Sequence, residues 1–241
     1  MSRLEVFGIE GVAEVDRGAD LAAMIASAAR SEGTPLESGD ALVVTQKVVS
    51  KAEGAMASVD PTDPLGHKPL VEANSARILR RRGDLIISET KHGFVCANAG
   101  IDLSNVGRGE AALLPDDPDR SARRIRDALA ARFGVQLGVI VSDTFGRPWR
   151  RGVTDVAIGC AGIRPIIDLR GTNDAYGREL QVTEVALVDE IAAAAELVMG
   201  KSSGIPAAVV RGLDADWFTE DGVHTGVVSD VVRSPAEDLF R

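Results

Sequence analysis

The chain has 241 residues, 45% of them apolar and 26% charged, with a net charge of −9. That length holds one large domain or two small ones, and the apolar share is enough for a packed core. The acidic balance and an aromatic content of 4% speak against a nucleic-acid binder, which shows a basic face and stacking rings. No apolar run approaches membrane-spanning length, and the amino terminus lacks a basic-then-apolar signal pattern. The expectation is a cytoplasmic protein with no nucleic-acid or membrane partner. Cys96 and Cys160 lie in apolar stretches without metal-ligand spacing and read as buried free thiols of a reducing compartment. His67, His92 and His224 are scattered and indicate no zinc site.

In chain order, residues 4–9 predict an opening strand. Residues 20–31 predict a helix capped by Asp20 and closed by Gly33. Residues 41–45 follow a Ser-Gly-Asp turn as a strand. Residues 46–51 then leave that strand carrying Lys47 and Lys51, four apart. Residues 56–68 read as a polar loop, and residues 69–82 as a helix whose basic end suits the negative helix terminus. Residues 85–87 and 94–97 form a hairpin-like pair, followed by a glycine-rich loop over 99–109. Asp117-Pro118 opens a helix that stops at Gly134. Strands follow near 136–142, 154–160 and 165–169. The next helix spans 183–199, with Thr183 as its cap and Gly200 as its end. A strand over 206–210 precedes a mixed tail. Several strands are joined without helices and no linker divides the chain, so residues 1–241 read as one α+β domain with mixed sheets.

The most informative run is Ser142-Asp143-Thr144-Phe145-Gly146-Arg147-Pro148-Trp149-Arg150-Arg151-Gly152-Val153-Thr154-Asp155. It places a carboxylate and a hydroxyl where a buried strand gives way to a loop, with three arginines close behind. Oxygen ligands for a hard cation beside guanidinium groups suit phosphoryl transfer; a solvated basic turn has the same composition. Two other motifs are false friends. Gly200-Lys201-Ser202 resembles the end of a P-loop, but Ala195 stands where the earlier glycine is required. Gly107-Arg108-Gly109 loosely fits a dinucleotide fingerprint, but Leu113-Leu114-Pro115 leaves no helix start to receive a pyrophosphate. What remains is dispersed. Asp102 and Asp143 could converge on Mg²⁺ or Mn²⁺, and either alone could cap a turn. Lys51 could bind phosphate or be solvated, and Asn105 could contact a nucleotide or hold an Asx turn.

Taken together, the runs 43–54, 99–107, 142–150, 174–180 and 183–186 resemble the F420 γ-glutamyl ligase family, in the family's order. The resemblance implies a GTP-dependent acid–amino-acid ligase, a family-type mixed fold and an intertwined homodimer. Its substrates would be GTP, L-glutamate and the deazaflavin precursor F420-0. Glutamate would be added to a carboxylate activated as an acyl phosphate, with further γ-linked glutamates after the first. A ligase of this fold for another carboxylate, or a GTP-sensing dimer without catalysis, are the rival readings. Residue by residue, Asp102 and Asp143 match positions for one divalent cation and Thr144 for a second. Gln46, Lys51 and Asn105 match GTP-contacting positions, and Val12, Ala13, Glu14 and Val15 align more loosely with another. Arg147 and Arg150 fall in a matching run and are expected, beside Asp143, to neutralise phosphate or substrate carboxylate. One departure stands out: Lys201 occupies a place where relatives carry a cation-binding glutamine. Some relatives add a flavin-reductase-like domain past the motif at Asp238-Leu239-Phe240; a stand-alone ligase and one half of a longer protein both fit.

Overall fold

The computed structural model describes residues 3–219 and 226–238; His224, Leu239 and Phe240 lie outside the described residues. The chain runs β1 (Glu5–Ile9), α1 (Leu21–Ser31), β2 (Ala41–Thr45), α2 (Gln46–Glu53), β3 (Met56–Ser58), α3 (Lys68–Ala73), β4 (Ser75–Arg82), β5 (Leu85–Thr90) and β6 (Val95–Ala97). It continues with β7 (Glu110–Ala112), α4 (Pro118–Phe133), β8 (Gly138–Gly146), β9 (Val153–Ala161), β10 (Ile167–Asp168), β11 (Glu184–Val185), α5 (Leu187–Met199), β12 (Ala207–Arg211) and α6 (Val227–Asp230). The architecture is α+β with mixed sheets.

The principal sheet has the order β1-β12-β2-β8-β9. Only β2 and β8 are parallel, and the other pairings are antiparallel. Ala41, Leu42, Val43 and Val44 of β2 are all fully buried, so this central strand is covered on both faces and reads as a continuous apolar run. Helices α1 and α4 pack against each other, with α4 lying on β8 and β9, while α5 packs across β9, β12 and β1. Gly159 lets α4 sit directly on β9: a Cβ there would lie 2.3 Å from the Pro118 carbonyl. Beside it, the buried Asp119 accepts from the amides of Cys160, Val227 and Val228, at 2.8, 2.8 and 3.2 Å. This carboxylate ties the carboxy-terminal segment to the sheet. A second, smaller core gathers Val71, Ile86, Ala99, Ile101 and Ala111 beneath the β4-β5-β6 sheet and the β3-β7 pair.

Three sequence expectations need correction, and one stretch whose secondary structure the sequence leaves open, residues 46–53, is resolved. The helix expected over 69–82 stops at Ala73, and Ser75–Arg82 is a strand instead. The helix-forming arginines lose to hairpin pairing: Arg82 faces Leu85, and Gly83 makes the turn at φ +56°. Residues 46–53 form the helix α2, ended by Gly54 in the left-handed conformation. Second, Met56–Ser58 is a short strand paired with Glu110–Ala112, inside what reads as a loop. Third, Thr183 does not cap α5, which begins at Leu187 after the short strand β11. The caps at Asp20 and Asp117 do form, accepting from the Ala23 and Arg120 amides at 3.2 and 2.8 Å. Cys96 and Cys160 are both buried free thiols, as expected. Among the described residues no helix is long and apolar enough to cross a membrane.

Candidate active site

A cleft of about 530 Å³ opens where the segment after β1, helix α2, the loop after Asp102, the strands β8 and β9, and the loop after α5 come together. Each wall has a local cause. Helix α2 begins immediately where β2 ends, so Gln46 and Lys47 emerge at the carboxyl end of the parallel pair β2–β8. In open sheets, ligands bind beyond the carboxyl ends of the parallel strands. Lys51 lies one turn further along the same helix and also lines the cleft.

Asp102 is placed by an isolated bridge to Ala112, with both backbone bonds made at 3.0 and 2.9 Å. Just before it, Asn98, Ala99 and Gly100 all have positive φ, which turns the chain sharply into the cleft. The Asp102 carboxylate accepts from the Ser104 amide at 2.7 Å and the Ser104 hydroxyl at 3.0 Å, and pairs with Lys47 Nζ at 2.8 Å. Burial works to raise its pKa, but the hydrogen bonds from Lys47 and Ser104 outweigh that and hold the carboxyl below its usual range. Asn105, itself at φ +52°, donates from Nδ2 to the Lys201 carbonyl at 3.3 Å. That bond joins the two loops that rim the cleft.

Asp143 and Thr144 correct a further expectation. They are not at a strand end, because β8 runs on to Gly146 and forms a hairpin with β9. A register shift falls between Val141 and Ser142, immediately before them. Such bulges re-aim side chains and increase strand twist. Asp155 on β9 faces Thr144 and accepts from Ser142 Oγ at 2.9 Å and Thr144 Oγ1 at 2.6 Å. Asp143 accepts from the Thr144 amide at 2.8 Å. Burial pushes the Asp143 carboxyl up to about 7; the Thr144 bond and Lys201 oppose the shift, and the charges of Asp155 and Asp102 add to it.

The cleft thus brings together Val12, Ala13, Glu14, Val15, Gln46, Lys51, Asp102, Asn105, Asp143 and Thr144. Gln46 and Lys51, like the groups above, are already engaged. Gln46 Nε2 donates to Ser50 Oγ and the Leu113 carbonyl at 2.6 and 2.7 Å, and Lys51 pairs closely with Glu14. Arg147 and Arg150 do not line the cleft; they flank the exposed Trp149 on the turn between β8 and β9. The structure adds Lys47, Asp155, Glu196 and Ser202 to the lining, and puts Lys201 there as well. Lys47 was legible in principle, since Gly54 as a helix terminator puts Lys47 and Lys51 on one face. Glu196, on the last turn of α5, had no local signal.

Chemically, the arrangement offers lysines along α2, carboxylates at the cleft floor and a hydroxyl oriented by Asp155. Among the described residues no three His, Cys, Asp or Glu side chains form a ready metal centre. A cation here would therefore rest on Asp102, Asp143 and Thr144 together with oxygens from elsewhere. The donor types fit a hard cation such as Mg²⁺ or Mn²⁺, and burial, with a smaller addition from Asp155 and Asp102, disfavours the charged form of Asp143, a penalty that a bound cation would offset.

Sequence comparisons identify the family. A family model described as F420-0:Gamma-glutamyl ligase matches residues 11–212, a span that contains the cleft. A protein of Methanothermobacter thermautotrophicus named coenzyme F420:L-glutamate ligase is 45% identical, with 99% of each chain covered. A protein of the same name from Methanopyrus kandleri is 45% identical over 95% of this chain and 94% of its own. Another, from Archaeoglobus fulgidus, is 39% identical over 99% of this chain and 97% of its own. The chain belongs to the F420-0:gamma-glutamyl ligase family.

Proposed function

We propose that this chain is a GTP-dependent ligase that adds L-glutamate to coenzyme F420-0 and then further γ-linked glutamates. The observation that carries the reading is that Asp102 and Asp143, far apart in sequence, line one cleft with Lys51 and Asn105. A free carboxylate is a poor acyl donor. In the proposed route the terminal phosphate of GTP passes to the F420-0 carboxylate, and the resulting acyl phosphate is displaced by the glutamate amine.

Asp102 and Asp143 would hold one divalent cation, Mg²⁺ or Mn²⁺, and Thr144 a second. Lys201 has no lone pair to offer while protonated, so the second cation has Thr144 as its side-chain ligand. When bound, such cations offset charge on the phosphates and polarise the bond to be broken. The chain's own groups do the positioning. Lys51, released from Glu14, and Lys47, released from Asp102, present ammonium groups to phosphate oxygens, while Asn105 and the Val12–Val15 segment border the nucleotide. Asp155 accepts the Thr144 hydroxyl hydrogen and so leaves the Thr144 lone pairs available to a cation.

The proposal includes a cytoplasmic homodimer. Trp149, Tyr176, Val182 and Leu197, all strongly exposed, supply apolar surface for a second copy. In that assembly the turn bearing Arg147 and Arg150 would meet phosphate or substrate carboxylate, the role proposed for both.

The deciding assay measures GDP release with GTP, F420-0 and L-glutamate, each omitted in turn, with ATP as the comparison nucleotide. GDP and γ-glutamyl product that require both F420-0 and glutamate support the reading. GTP binding with no amide after a single-turnover incubation would replace it with a nucleotide sensor. Turnover only with another carboxylate would replace the acceptor.

A further inference from the structure

We propose that Glu196 is a further catalytic residue: its carboxylate receives the ammonium group of the incoming amino acid and takes the proton that ammonium must lose before it attacks. This deepens the ligase reading above and rests on it.

The cleft has five carboxylates, and four have partners. Glu14 pairs with Lys51, Asp102 with Lys47 and Ser104, Asp143 accepts from the Thr144 amide, and Asp155 accepts from Ser142 and Thr144. Glu196 lines the same cleft, and its side chain makes no hydrogen bond or ion pair with any described residue. It belongs to the last turn of α5, whose Glu196 carbonyl accepts from the Gly200 amide. The carboxyl end of a helix carries partial negative charge, so the backbone adds to the attraction for a cation. The two walls of the cleft therefore differ. The α2 wall carries ammonium groups, which suit phosphates, and the α5 wall carries an unengaged carboxylate, which suits an amine. Burial raises the Glu196 carboxyl above its usual range, the neighbouring Asp155 adds to this, and Lys201 opposes it. A raised pKa makes the carboxylate a better proton acceptor near neutral pH. The charged groups facing it are Asp155 from β9 and Lys201 from the loop after α5.

The step balances. The ammonium yields one proton to Glu196, and the amine's freed electron pair forms the C–N bond at the acyl carbon. The bond from that carbon to the phosphate oxygen breaks, and its electrons leave with inorganic phosphate. The second nitrogen proton passes to the departing phosphate. Glu196 then returns its proton to water.

The test compares wild type with Glu196→Gln in two assays on the full chain with GTP, Mn²⁺ and F420-0. One supplies L-glutamate, and the other supplies hydroxylamine, an amine already neutral at pH 7 that traps an acyl phosphate as a hydroxamate. In the glutamate assay the variant is expected to lose at least about 10²-fold in kcat/KM, within the range for a lost general base. The acid limb of its pH profile should disappear. Its hydroxamate formation and GTP affinity should stay within about twofold of wild type, which also shows that it is folded. Equal loss in both assays overturns the assignment, because Glu196 then acts before the amine arrives. Unchanged glutamate ligation overturns it directly. If wild-type enzyme makes glutamate amide but no hydroxamate, the acyl-phosphate reading fails, and the proton-transfer step written here fails with it.

Discussion

Asp155 gives the sharpest test of how the cleft holds a cation. It is 3% exposed and accepts two hydroxyl hydrogens, from Ser142 at 2.9 Å and Thr144 at 2.6 Å. With its hydrogen pointing at Asp155, Thr144 keeps its lone pairs available to a cation. Asp155→Asn replaces one acceptor oxygen with an amide donor of nearly the same shape. With the amide nitrogen facing Thr144, the hydroxyl accepts from it and swings its own hydrogen toward the cation, a donor set against a positive charge; with the nitrogen facing Ser142, Ser142 loses its acceptor instead. Partners behind a metal ligand typically change affinity by about 10–100-fold. The expected weakening of Mn²⁺ binding is thus about 1.4–2.7 kcal/mol. The effect on folding should be smaller, because the amide keeps at least one of the two bonds and relieves repulsion with Asp143; about 1 kcal/mol is expected. Asp155→Ala removes both charge-assisted bonds, at about 1.5–3 kcal/mol each before recovery. The half-buried Thr144 regains water while the buried Ser142 does not. A net loss of about 2–4 kcal/mol follows. Mn²⁺ titration by electron paramagnetic resonance and urea unfolding in chelator measure the two quantities separately. A folded Asp155→Ala protein that binds Mn²⁺ as tightly as wild type would refute the argument that Asp155 orients Thr144.

Three further outcomes are expected. Asp143, raised from 3.8 to about 7 in the folded state, binds its proton more tightly there than in the unfolded chain. Its stabilising contribution is complete below pH 3.8 and is lost as pH rises through 7, so cation-free protein should weaken over that window. Asp143→Asn should flatten that slope in urea unfolding at pH 5 and 8 and abolish ligation; a slope as steep as wild type would count against the assignment. Asp119→Ala strands the amides of Cys160, Val227 and Val228, at about 1–3 kcal/mol for each one that water cannot reach. The melting temperature should fall, and limited proteolysis should cut first within residues 226–238; unchanged protection there would show that the segment is held by other contacts. Lys51→Ala should weaken GTP binding about tenfold and F420-0 binding little, by calorimetry; equal weakening of both would remove its phosphate role.

Much of the site was legible locally because its elements punctuate themselves. Asp117-Pro118 starts a helix by capping chemistry, Gly200 stops one, and the apolar run 137–141 can only be a buried strand. The errors fell where two local tendencies compete. Residues 75–82 favour a helix by composition, but pairing with β5 offers them a ladder of hydrogen bonds that the chain order does not advertise. Residues 46–53 are too short to show a period, yet α2 forms because it continues directly from β2 and buries Gln46, Val49 and Ser50. Arg147 and Arg150 follow Asp143 closely in sequence but lie in the turn between β8 and β9, outside the lining of this chain's cleft, so proximity along the chain does not by itself bring them to Asp143.

The amino-acid sequence alone determined which chemistry was present: two carboxylates, a threonine hydroxyl, lysines and an asparagine, each next to a glycine or strand that could expose it. It also carried the family, since 45% identity spread over nearly the whole chain leaves little room for another fold. Only the tertiary structure decided which of those groups meet. Asp102 reaches the cleft through its bridge to Ala112, Asp143 through a bulge in β8, and Glu196 through the packing of α5 across the sheet. Those placements come from long-range backbone pairing and close packing, whose energies depend on residues far along the chain, and short-range sequence patterns do not record them.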